Sequence, residues 1–467
     1  MASSRKGGPE STPAAPAAIA GAGADRSLEE TAGLIDLVSA CLESHLPAAG
    51  RLVVGYSGGL DSSVLLHLLA DLRARRGFTL AAVYVHHGLS PQADDWARHC
   101  ARVCGALDVP LQVARVEVRK RGEGLEAAAR AARYAVFADI DADAVALAHH
   151  RDDQAETVLA QLLRGGGAKG LAAMPACRRL QAGGPLLLRP LLSAPRAHIA
   201  AWARARRLCW VEDESNLHTH LARNLLRHQV LPLLETRFAA PGATLARAAE
   251  RFAETAALLD DLADLDAGAV LTPEGLSIAA LAGLSPARAR NLLRRRLELA
   301  GADLHAEALR EGLRQLLEAR RDARVMVDFG TVGLRRHRGL ARIVPSARVV
   351  APAGALWTWD GEAVLELGDA GGLRFTPAHG AGVRLEPGPV TVRLRRGGER
   401  LRTAPDRPRR PLKDLLREAG IPPWRRQHLP LVYVGERLAW VAEIGADAEF
   451  LASSDQPGWL ILPCSPA

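Results

Sequence analysis

The chain has no long apolar run and no paired cysteines. No segment is long and apolar enough to predict a membrane-spanning helix, and the Ala-, Gly-, Ser- and Pro-rich beginning lacks the apolar block of a secretory signal. The six cysteines are scattered without a Cys-x-x-Cys pair, which argues against a disulfide framework and against common zinc and iron–sulfur sites. We therefore expect a cytoplasmic protein with reduced cysteines and no membrane association, and we assign no metal-ligating residues.

Lysine is also scarce. Among the 60 lysines and arginines, only Lys6, Lys120, Lys169 and Lys413 are lysines. Because no lysine follows the glycines at residues 57–62, this segment is not the lysine-containing phosphate loop of kinases and GTPases. The basic residues outnumber the 52 acidic ones, and the net charge of +8 is compatible with a polyanionic partner.

The chain is too long for one ordinary domain. Its 467 residues suggest about three domains, and a hydrophobic content of 48% provides core material for each. Pro- and Gly-rich linkers are predicted near residues 345–354 and 380–389. The predicted parts are a disordered extension over residues 1–28, an α/β domain over 29–235, a mainly helical domain over 236–345 and a small α+β domain over 380–467.

Short apolar runs alternate with helical patterns between residues 51 and 213. The predicted strands are Leu52–Tyr56, Leu80–His86, Leu111–Val118 and Ala144–Ala148, and the predicted helices are Ser62–Arg75, Asp94–Leu107, Leu125–Ile140 and Asp152–Arg164. This alternation predicts an α/β fold, a Rossmann-like parallel sheet with helices on both faces. A ligand binds beyond the carboxyl ends of the strands in such a sheet. Residues 218–317 read as wholly helical, and short strands follow.

A Ser/Gly turn joins the first predicted strand to the first predicted helix. Its residues are Ser57, Gly58, Gly59, Leu60, Asp61 and Ser62. Free backbone N–H groups and the positive end of the helix dipole meet at such a turn, which favours an anion. The glycines let a phosphate approach the backbone, and the serines add hydroxyl donors. We predict a nucleotide-binding site here.

Two histidines and three carboxylates cluster at the start of the fourth predicted helix. The segment runs His149-His150-Arg151-Asp152-Asp153-Gln154-Ala155-Glu156. Asp153 and Glu156 are three residues apart, so they lie together on one flank of the helix. Two interpretations are open from the residues alone. The cluster ligates a divalent ion, or it forms an electronegative pocket for the ammonium group of a cationic substrate.

Two arginines extend this set of polar positions. Arg133 lies on the predicted helix before the fourth strand, and Arg223 follows the acidic turn Glu212–Asn216. Each feature taken alone is typical of a solvated helix residue or of a helix cap.

Taken together, six segments resemble the bacterial tRNA(Ile)-lysidine synthases, a family within the PP-loop, or N-type, ATP pyrophosphatases. The segments are Ser57–Ser62, His86–Ser90, Arg133–Phe137, His149–Glu156, Arg164–Leu171 and Asp213–Arg227. Their order and spacing match the family over roughly residues 50–235. Near the end of the chain, Pro411–Leu416, Ile421–Arg425 and Leu431–Tyr433 resemble the family's last domain. One departure is Gly166, where many members carry serine.

The resemblance implies a two-step reaction that uses ATP and Mg²⁺. ATP adenylates the C2 oxygen of the wobble cytidine in a CAU-anticodon isoleucine tRNA and releases pyrophosphate. The ε-amine of L-lysine then attacks C2 and displaces AMP. The turn Ser57–Ser62 would bind the β,γ-phosphates. Six positions match catalytic residues of the family, namely Asp61, Arg133, His149, Asp153, Glu156 and Arg223.

The resemblance also implies a role for each position. Asp61 would position the ion and ATP, and the histidine and the two helix carboxylates would handle lysine. The two arginines would stabilise phosphate charge.

The tRNA partner implied by the resemblance needs a wide basic surface. Arginines crowd the last domain: Arg393, Arg395, Arg396, Arg400, Arg402, Arg407, Arg409, Arg410, Arg425 and Arg426. Contacts of arginine with phosphate would give a salt-dependent affinity. The alternative for these arginines is a solvated charged face. A homodimer is compatible with the sequence.

Other functions fit the sequence less well. A tRNA 2-thiolation enzyme of the same superfamily generally needs paired cysteines, and no third cysteine is placed to join Cys100 and Cys104. An amide ligase for small molecules would leave the basic domain without a role. An RNA-binding protein without catalysis would need neither the Ser/Gly turn nor the His–carboxylate cluster.

Overall fold

A computed structural model of the chain describes residues 22–118, 124–213, 222–302, 304–320, 323, 325–346, 355–368, 371–386 and 388–464, with side chains from residue 33 onward. The chain divides into two compact units, Met1–Leu259 and Asp260–Ala467. No helix among the described residues is long and apolar enough to cross a membrane.

A six-stranded sheet forms the centre of the first unit. Its strands are β1 (Arg51–Gly55), β2 (Thr79–His86), β3 (Leu111–Arg115), β4 (Ala144–Ala146), β5 (Cys177–Arg179) and β6 (Leu186–Leu188). The order is β3-β2-β1-β4-β6-β5, and all neighbours are parallel except the edge strand β5, which is antiparallel to β6. The predicted parallel α/β sheet is therefore confirmed. Strands β5 and β6 were not predicted, and the Cys-Arg-Arg sequence of β5 shows no apolar run.

Helices surround the sheet of the first unit. They are α1 (Ala22–His45), α2 (Leu60–Arg76), α3 (Ala93–Ala106), α4 (Leu125–Ala138), α5 (Arg151–Leu163), α6 (Ala168–Leu171), α7 (Arg196–Ala205), α8 (Ala222–Leu225) and α9 (Leu231–Glu235), with a π-helical turn at Leu226–Val230. Helix α10 (Pro241–Val270) follows them and continues past residue 259 into the second unit. Helix α1 begins inside the extension predicted over residues 1–28, and residues 1–21 lie outside the described part of the chain.

Both faces of this sheet are packed. Val54 of β1 belongs to a buried cluster that contains Val38 of α1, Leu65 of α2 and Trp202 of α7. Its neighbour Val53 points to the other face, because successive strand residues alternate. There it packs in the cluster of Phe137 from α4. Helices therefore pack on both faces of the strands whose ends carry the polar segments.

The sheet brings the two polar segments to the same edge. Strand order reverses between β1 and β4, which are neighbours in the sheet but not in the chain. In open α/β sheets a crevice forms at such a reversal, beyond the carboxyl ends of the strands. Strand β1 leads into the turn Ser57–Ser62, and β4 leads into His149 and His150.

The first part of the second unit combines helices with a five-stranded sheet. The elements are β7 (Leu271–Thr272), β8 (Gly275–Ser277), α11 (Ile278–Ala282), α12 (Pro286–Leu299), α13 (Ala306–Glu318), β9 (Met326–Phe329), β10 (Val332–His337) and β11 (Leu340–Pro345), and the sheet order is β7-β8-β11-β10-β9. The wholly helical reading of residues 218–317 is corrected here, since 271–277 form a hairpin. The pattern of these residues did not show this, because β8 pairs with the distant strand β11, through Leu276 with Ala341 and Ser277 with Leu340.

The second part of this unit contains the remaining elements. They are β12 (Leu356–Trp359), β13 (Val364–Glu366), β14 (Gly372–His379), β15 (Val390–Leu394), β16 (Arg400–Leu401), β17 (Arg410–Pro411), α14 (Leu412–Glu418), α15 (Pro423–Arg426), β18 (Pro430–Val434), β19 (Arg437–Val441), β20 (Gly445–Ala446) and β21 (Pro457–Cys464). The boundary predicted at residue 380 falls inside this network, because β12 pairs with β15 and β14 pairs with β21. Val383, within the predicted linker, is buried and pairs with Trp459.

Candidate active site

Close contacts hold the turn between β1 and α2 in one conformation. Gly58 has a φ of +80°, and a side chain there would lie 3.1 Å from Cys100 Sγ and 3.1 Å from Val211 Cγ2. The backbone N–H of Val211 donates to the Gly58 carbonyl at 2.9 Å. Only glycine satisfies both the left-handed backbone and these contacts. The shape of the turn therefore depends on glycine at position 58.

The serines of the turn and the start of α2 present hydrogen-bond donors. Ser57 Oγ and Ser62 Oγ are 3.1 Å apart, and the Ser62 hydroxyl donates to the Gly59 carbonyl at 3.0 Å. Helix α2 begins after Gly59 without a side-chain cap. The first N–H groups of a helix have no acceptor within the helix. The arrangement can therefore bind an anion such as a phosphate.

His150 joins this turn to the carboxylates of α5. Its Nε2 lies 3.7 Å from Asp61 Oδ2 and 3.4 Å from Asp153 Oδ2, and the residue is buried. It also caps α5, since the Asp153 N–H donates to His150 Nδ1 at 3.4 Å and the His150 N–H donates to Asp153 Oδ2 at 3.0 Å. Sequence reasoning gave a role to His149 alone. No local pattern singled out His150, because the contact that places it at the site is with Asp61, in a distant part of the chain.

Asp61 has one oxygen without a hydrogen-bond donor. Its Oδ1 is buried and accepts no hydrogen bond from the described residues, and Arg196 Nε lies 3.8 Å away. Burial raises the pKa of Asp61, while His150 and Arg196 oppose that shift. A carboxylate oxygen left free beside a phosphate-binding turn suits Mg²⁺, which binds one or two carboxylates together with substrate phosphates.

Arg223 and Arg227 clamp the two carboxylates of α5. Arg223 donates from Nε to Glu156 Oε2 at 2.8 Å and from Nη2 to Asp153 Oδ1 at 2.6 Å. Arg227 donates from Nε to Glu156 Oε1 at 2.5 Å and from Nη2 to Asp153 Oδ1 at 3.0 Å. Both carboxylates are buried. The two guanidinium groups therefore neutralise two buried negative charges.

This clamp bears on both interpretations of the cluster. The carboxylate oxygens of Asp153 and Glu156, which a metal ion would need as ligands, accept hydrogen bonds from Arg223 and Arg227. The same two arginines balance the negative charge that an ammonium group would need. Burial raises the pKa of Asp153, but His150, Arg223 and His149 outweigh that effect and lower it to about 2. Sequence reasoning missed Arg227, although its spacing of four from Arg223 places both on one helical face.

His149 and Arg133 are the two remaining catalytic candidates. Burial lowers the pKa of His149 to about 3, and Arg189 and Arg223 add to this shift although Asp153 opposes it. His149 is therefore neutral at physiological pH. Arg133 is exposed to solvent. Partial burial lowers the pKa of its guanidinium, and Arg130 and Arg223 add to this shift although Tyr134 opposes it.

The structure thus brings Asp61, His149, Asp153, Glu156 and Arg223 close together, whereas Arg133 forms no hydrogen bond or ion pair with these described residues and is linked to the group only by its electrostatic interaction with Arg223. Of the acidic turn Glu212–Asn216, only Glu212 and Asp213 belong to the described residues.

Most arginines expected to contact RNA are paired with carboxylates in the second unit. The pairs are Arg393–Glu436, Arg395–Glu399, Arg402–Glu449, Arg409–Asp447, Arg410–Glu418 and Arg425–Glu443. Arg396, Arg400 and Arg407 are exposed and have no carboxylate partner among the described residues. They lie on or beside the two loops that flank β16. We call these three the unpaired arginines.

Comparison with known proteins covers nearly the whole chain. Residues 36–234 match the model of a PP-loop domain, 276–341 match a TilS substrate binding domain, and 390–462 match a TilS substrate C-terminal domain. The tRNA(Ile)-lysidine synthase of Nitrosomonas europaea is 44% identical over 427 residues, 90% of this chain and 93% of the relative. That of Chromobacterium violaceum is 46% identical over 405 residues, 85% of this chain and 90% of the relative.

The chain belongs to the tRNA(Ile)-lysidine synthase family. It is therefore an enzyme with an ATP-using PP-loop domain, as the resemblance implied. Thiolation and RNA binding without catalysis are not favoured, because the relatives are named for lysidine synthesis. Membership of this family does not assign roles to single residues, and we infer those roles from the geometry of the crevice.

Proposed function

We propose that this member of the tRNA(Ile)-lysidine synthase family joins L-lysine to C2 of the wobble cytidine in a CAU-anticodon isoleucine tRNA. ATP first activates the C2 oxygen, pyrophosphate leaves, and lysine then displaces AMP. The product pairs with adenine instead of guanine, so the tRNA changes from a methionine to an isoleucine codon. The observation that carries the proposal is the meeting of the donor-rich turn and the clamped carboxylates at one sheet edge, linked by His150.

The turn Ser57–Ser62 supplies the phosphate subsite. Backbone N–H groups at the start of α2 and the serine hydroxyls bind the β,γ-phosphates, which become the leaving pyrophosphate. Asp61 fits Mg²⁺ because its Oδ1 is buried and has no donor among the described residues. Asp61 would hold the ion, which would supply positive charge to stabilise the leaving pyrophosphate. The turn itself would orient the triphosphate of ATP toward the C2 oxygen of the cytidine.

Asp153 and Glu156 supply the ammonium subsite. Two buried carboxylates three residues apart on α5 suit the ammonium group of an incoming lysine. In the described state Arg223 and Arg227 occupy these oxygens, so lysine competes with guanidinium groups for them. Phosphates of ATP or tRNA offer the arginines an alternative partner. We infer that the phosphate-bearing substrates bind first and that lysine follows.

An amino-acid panel tests the function directly. Purified protein is incubated with ATP, a CAU-anticodon tRNA and each of the labelled amino acids in turn. We expect lysine alone to label the RNA, with one AMP and one pyrophosphate formed for each lysine joined. Formation of ADP, or labelling by another amino acid, would contradict the proposal.

The three unpaired arginines, Arg396, Arg400 and Arg407, are expected to contact the tRNA backbone. Their replacement by alanine should weaken tRNA binding about 10- to 100-fold at low salt and reduce the slope of log affinity against log salt by about 2 to 3. Filter binding over a salt series measures both. Three paired arginines provide the matched control: Arg393, Arg402 and Arg410. Alanine there should lower the melting temperature and leave the slope unchanged, and equal slopes for the two triple variants would refute the assignment.

A further inference from the structure

Arg189 is a buried arginine beside the crevice to which neither the family match nor the sequence assigned a role. It directly follows β6, and only 3% of its surface is exposed. Its Nε donates to His149 Nδ1 at 3.3 Å, its Nη1 to the Pro175 carbonyl at 2.7 Å and its Nη2 to Tyr134 Oη at 3.4 Å. The guanidinium is therefore held on three sides, and one of its contacts is a catalytic candidate.

The charge of Arg189 has no counter-ion in the described part of the chain. No carboxylate among the described residues lies within ion-pair distance of it. Burial lowers the pKa of its guanidinium, and Arg178 and Arg130 add to the shift although Tyr134 opposes it. A buried cation without a carboxylate partner is costly to keep. The presence of such a cation therefore points to a use beyond packing.

The contact with His149 decides which nitrogen of the imidazole carries the proton. An arginine side chain has five N–H donors and no acceptor, so His149 Nδ1 must be the acceptor. The ring proton of neutral His149 then lies on Nε2. If Nδ1 were protonated, its N–H would face the N–H of Arg189 Nε, and two donors cannot form a hydrogen bond. The contact therefore favours the neutral ring.

We propose that Arg189 is a positioning residue that fixes His149 as a neutral imidazole, so that its Nε2–H donates a hydrogen bond to an electron-rich oxygen of the substrate. The identity of that substrate rests on the proposed function, whereas the tautomer of His149 rests on its contact with Arg189. The charged groups that face His149 are Asp153, Arg189, Arg223 and Arg130. In this state His149 is a donor and not the base. The proton released by the attacking amine passes to a carboxylate or to solvent.

Nuclear magnetic resonance of protein labelled with ¹⁵N-histidine tests the assignment without an activity measurement. Long-range ¹H–¹⁵N spectra distinguish the tautomers, and His149→Gln identifies the signals of His149. At pH 7 we expect an Nε2–H ring in the wild type. In Arg189→Met we expect the signals to move toward the other tautomer or the protonated ring. Lysine transfer should fall about 100-fold while the KM for ATP changes little, as when a catalytic histidine loses the group that sets its tautomer.

A conservative variant and a neighbouring variant complete the design. Arg189→Lys keeps a cation with N–H donors and should restore part of the spectrum and part of the rate. Arg178→Met is the matched control, because Arg178 is exposed and lies over the same Tyr134 ring at 5.2 Å. It should leave the His149 signals unchanged.

Two results would overturn the proposal. The first is a His149 ring in the wild-type protein that carries its proton on Nδ1 or is charged at pH 7, and this result needs no folded variant. The second is a set of unchanged His149 signals in folded Arg189→Met. The expected spectra together with no lysine incorporation would instead contradict the proposed function and leave the tautomer assignment intact.

Discussion

Asp61→Asn is expected to abolish pyrophosphate release from ATP, by about 10³-fold or more, in a protein that stays folded. The substitution keeps the shape of the side chain but removes the charge that would hold Mg²⁺ beside the phosphates. Burial raises the pKa of Asp61, which means that the folded protein pays to keep this carboxylate ionised. A neutral amide should therefore leave the melting temperature unchanged or slightly higher. Pyrophosphate release in the presence of tRNA, together with thermal denaturation, measures both effects.

The matched control for Asp61 lies on the same helix. Asp71 pairs with Arg206 at 3.1 Å and is well exposed, and it lies beyond the turn that faces the crevice. Asp71→Asn should release pyrophosphate at nearly the wild-type rate. Wild-type turnover in Asp61→Asn would remove Asp61 from the mechanism.

The position of the site could be predicted from the sequence because it depends on local patterns. Short apolar runs and helical periods alternate clearly between residues 51 and 164, and the four predicted helices there end within two residues of the observed ones. Once the sheet is known to be parallel, the carboxyl ends of β1 and β4 must share an edge. That edge carries Ser57–Ser62 and the two histidines.

The partners of the charged side chains could not be predicted, because they depend on distant parts of the chain. Arg223 lies 67 positions from Glu156, and no local pattern reports that its guanidinium reaches that carboxylate. The same limitation affects the basic last domain. Counting arginines suggested a wide RNA surface, but Arg393 reaches Glu436 across 43 positions and so is already paired. Composition counts charges, whereas the fold decides which of them remain available to a partner.

Gly166 illustrates how structure can explain a departure from the family pattern. A side chain at this position would lie 2.9 Å from the backbone oxygen of Gln161. The Gly166 N–H donates to that same oxygen at 2.8 Å. In this chain the backbone closes tightly on the end of α5, so serine would require the loop to move. The closeness of the Gln161 carbonyl therefore accounts for glycine at this position.

Asp153→Asn is expected to stop lysine transfer while ATP is still cleaved in the first step. The substitution leaves Arg223 and Arg227 facing a single carboxylate, so the ammonium group of lysine would meet a net positive cluster. One unit of charge at about 4 Å is worth roughly 4 kcal/mol at an effective dielectric constant near 20, or about 10³-fold in lysine affinity. Single-turnover assays should show one pyrophosphate per active site and an accumulating adenylated tRNA.

The control and the contradictory outcomes for Asp153 separate the two half-reactions. Asp152 precedes it on α5, and its Oδ2 accepts from the Arg196 N–H at 2.8 Å, a bond that the oxygen of asparagine can retain. Asp152→Asn should therefore keep a wild-type KM for lysine. If Asp153→Asn released no pyrophosphate, it would behave like Asp61→Asn, and the carboxylate would belong to the activation step. If Asp153→Asn bound lysine with wild-type affinity, the ammonium group of lysine would have to bind at a place that the charge of Asp153 does not affect.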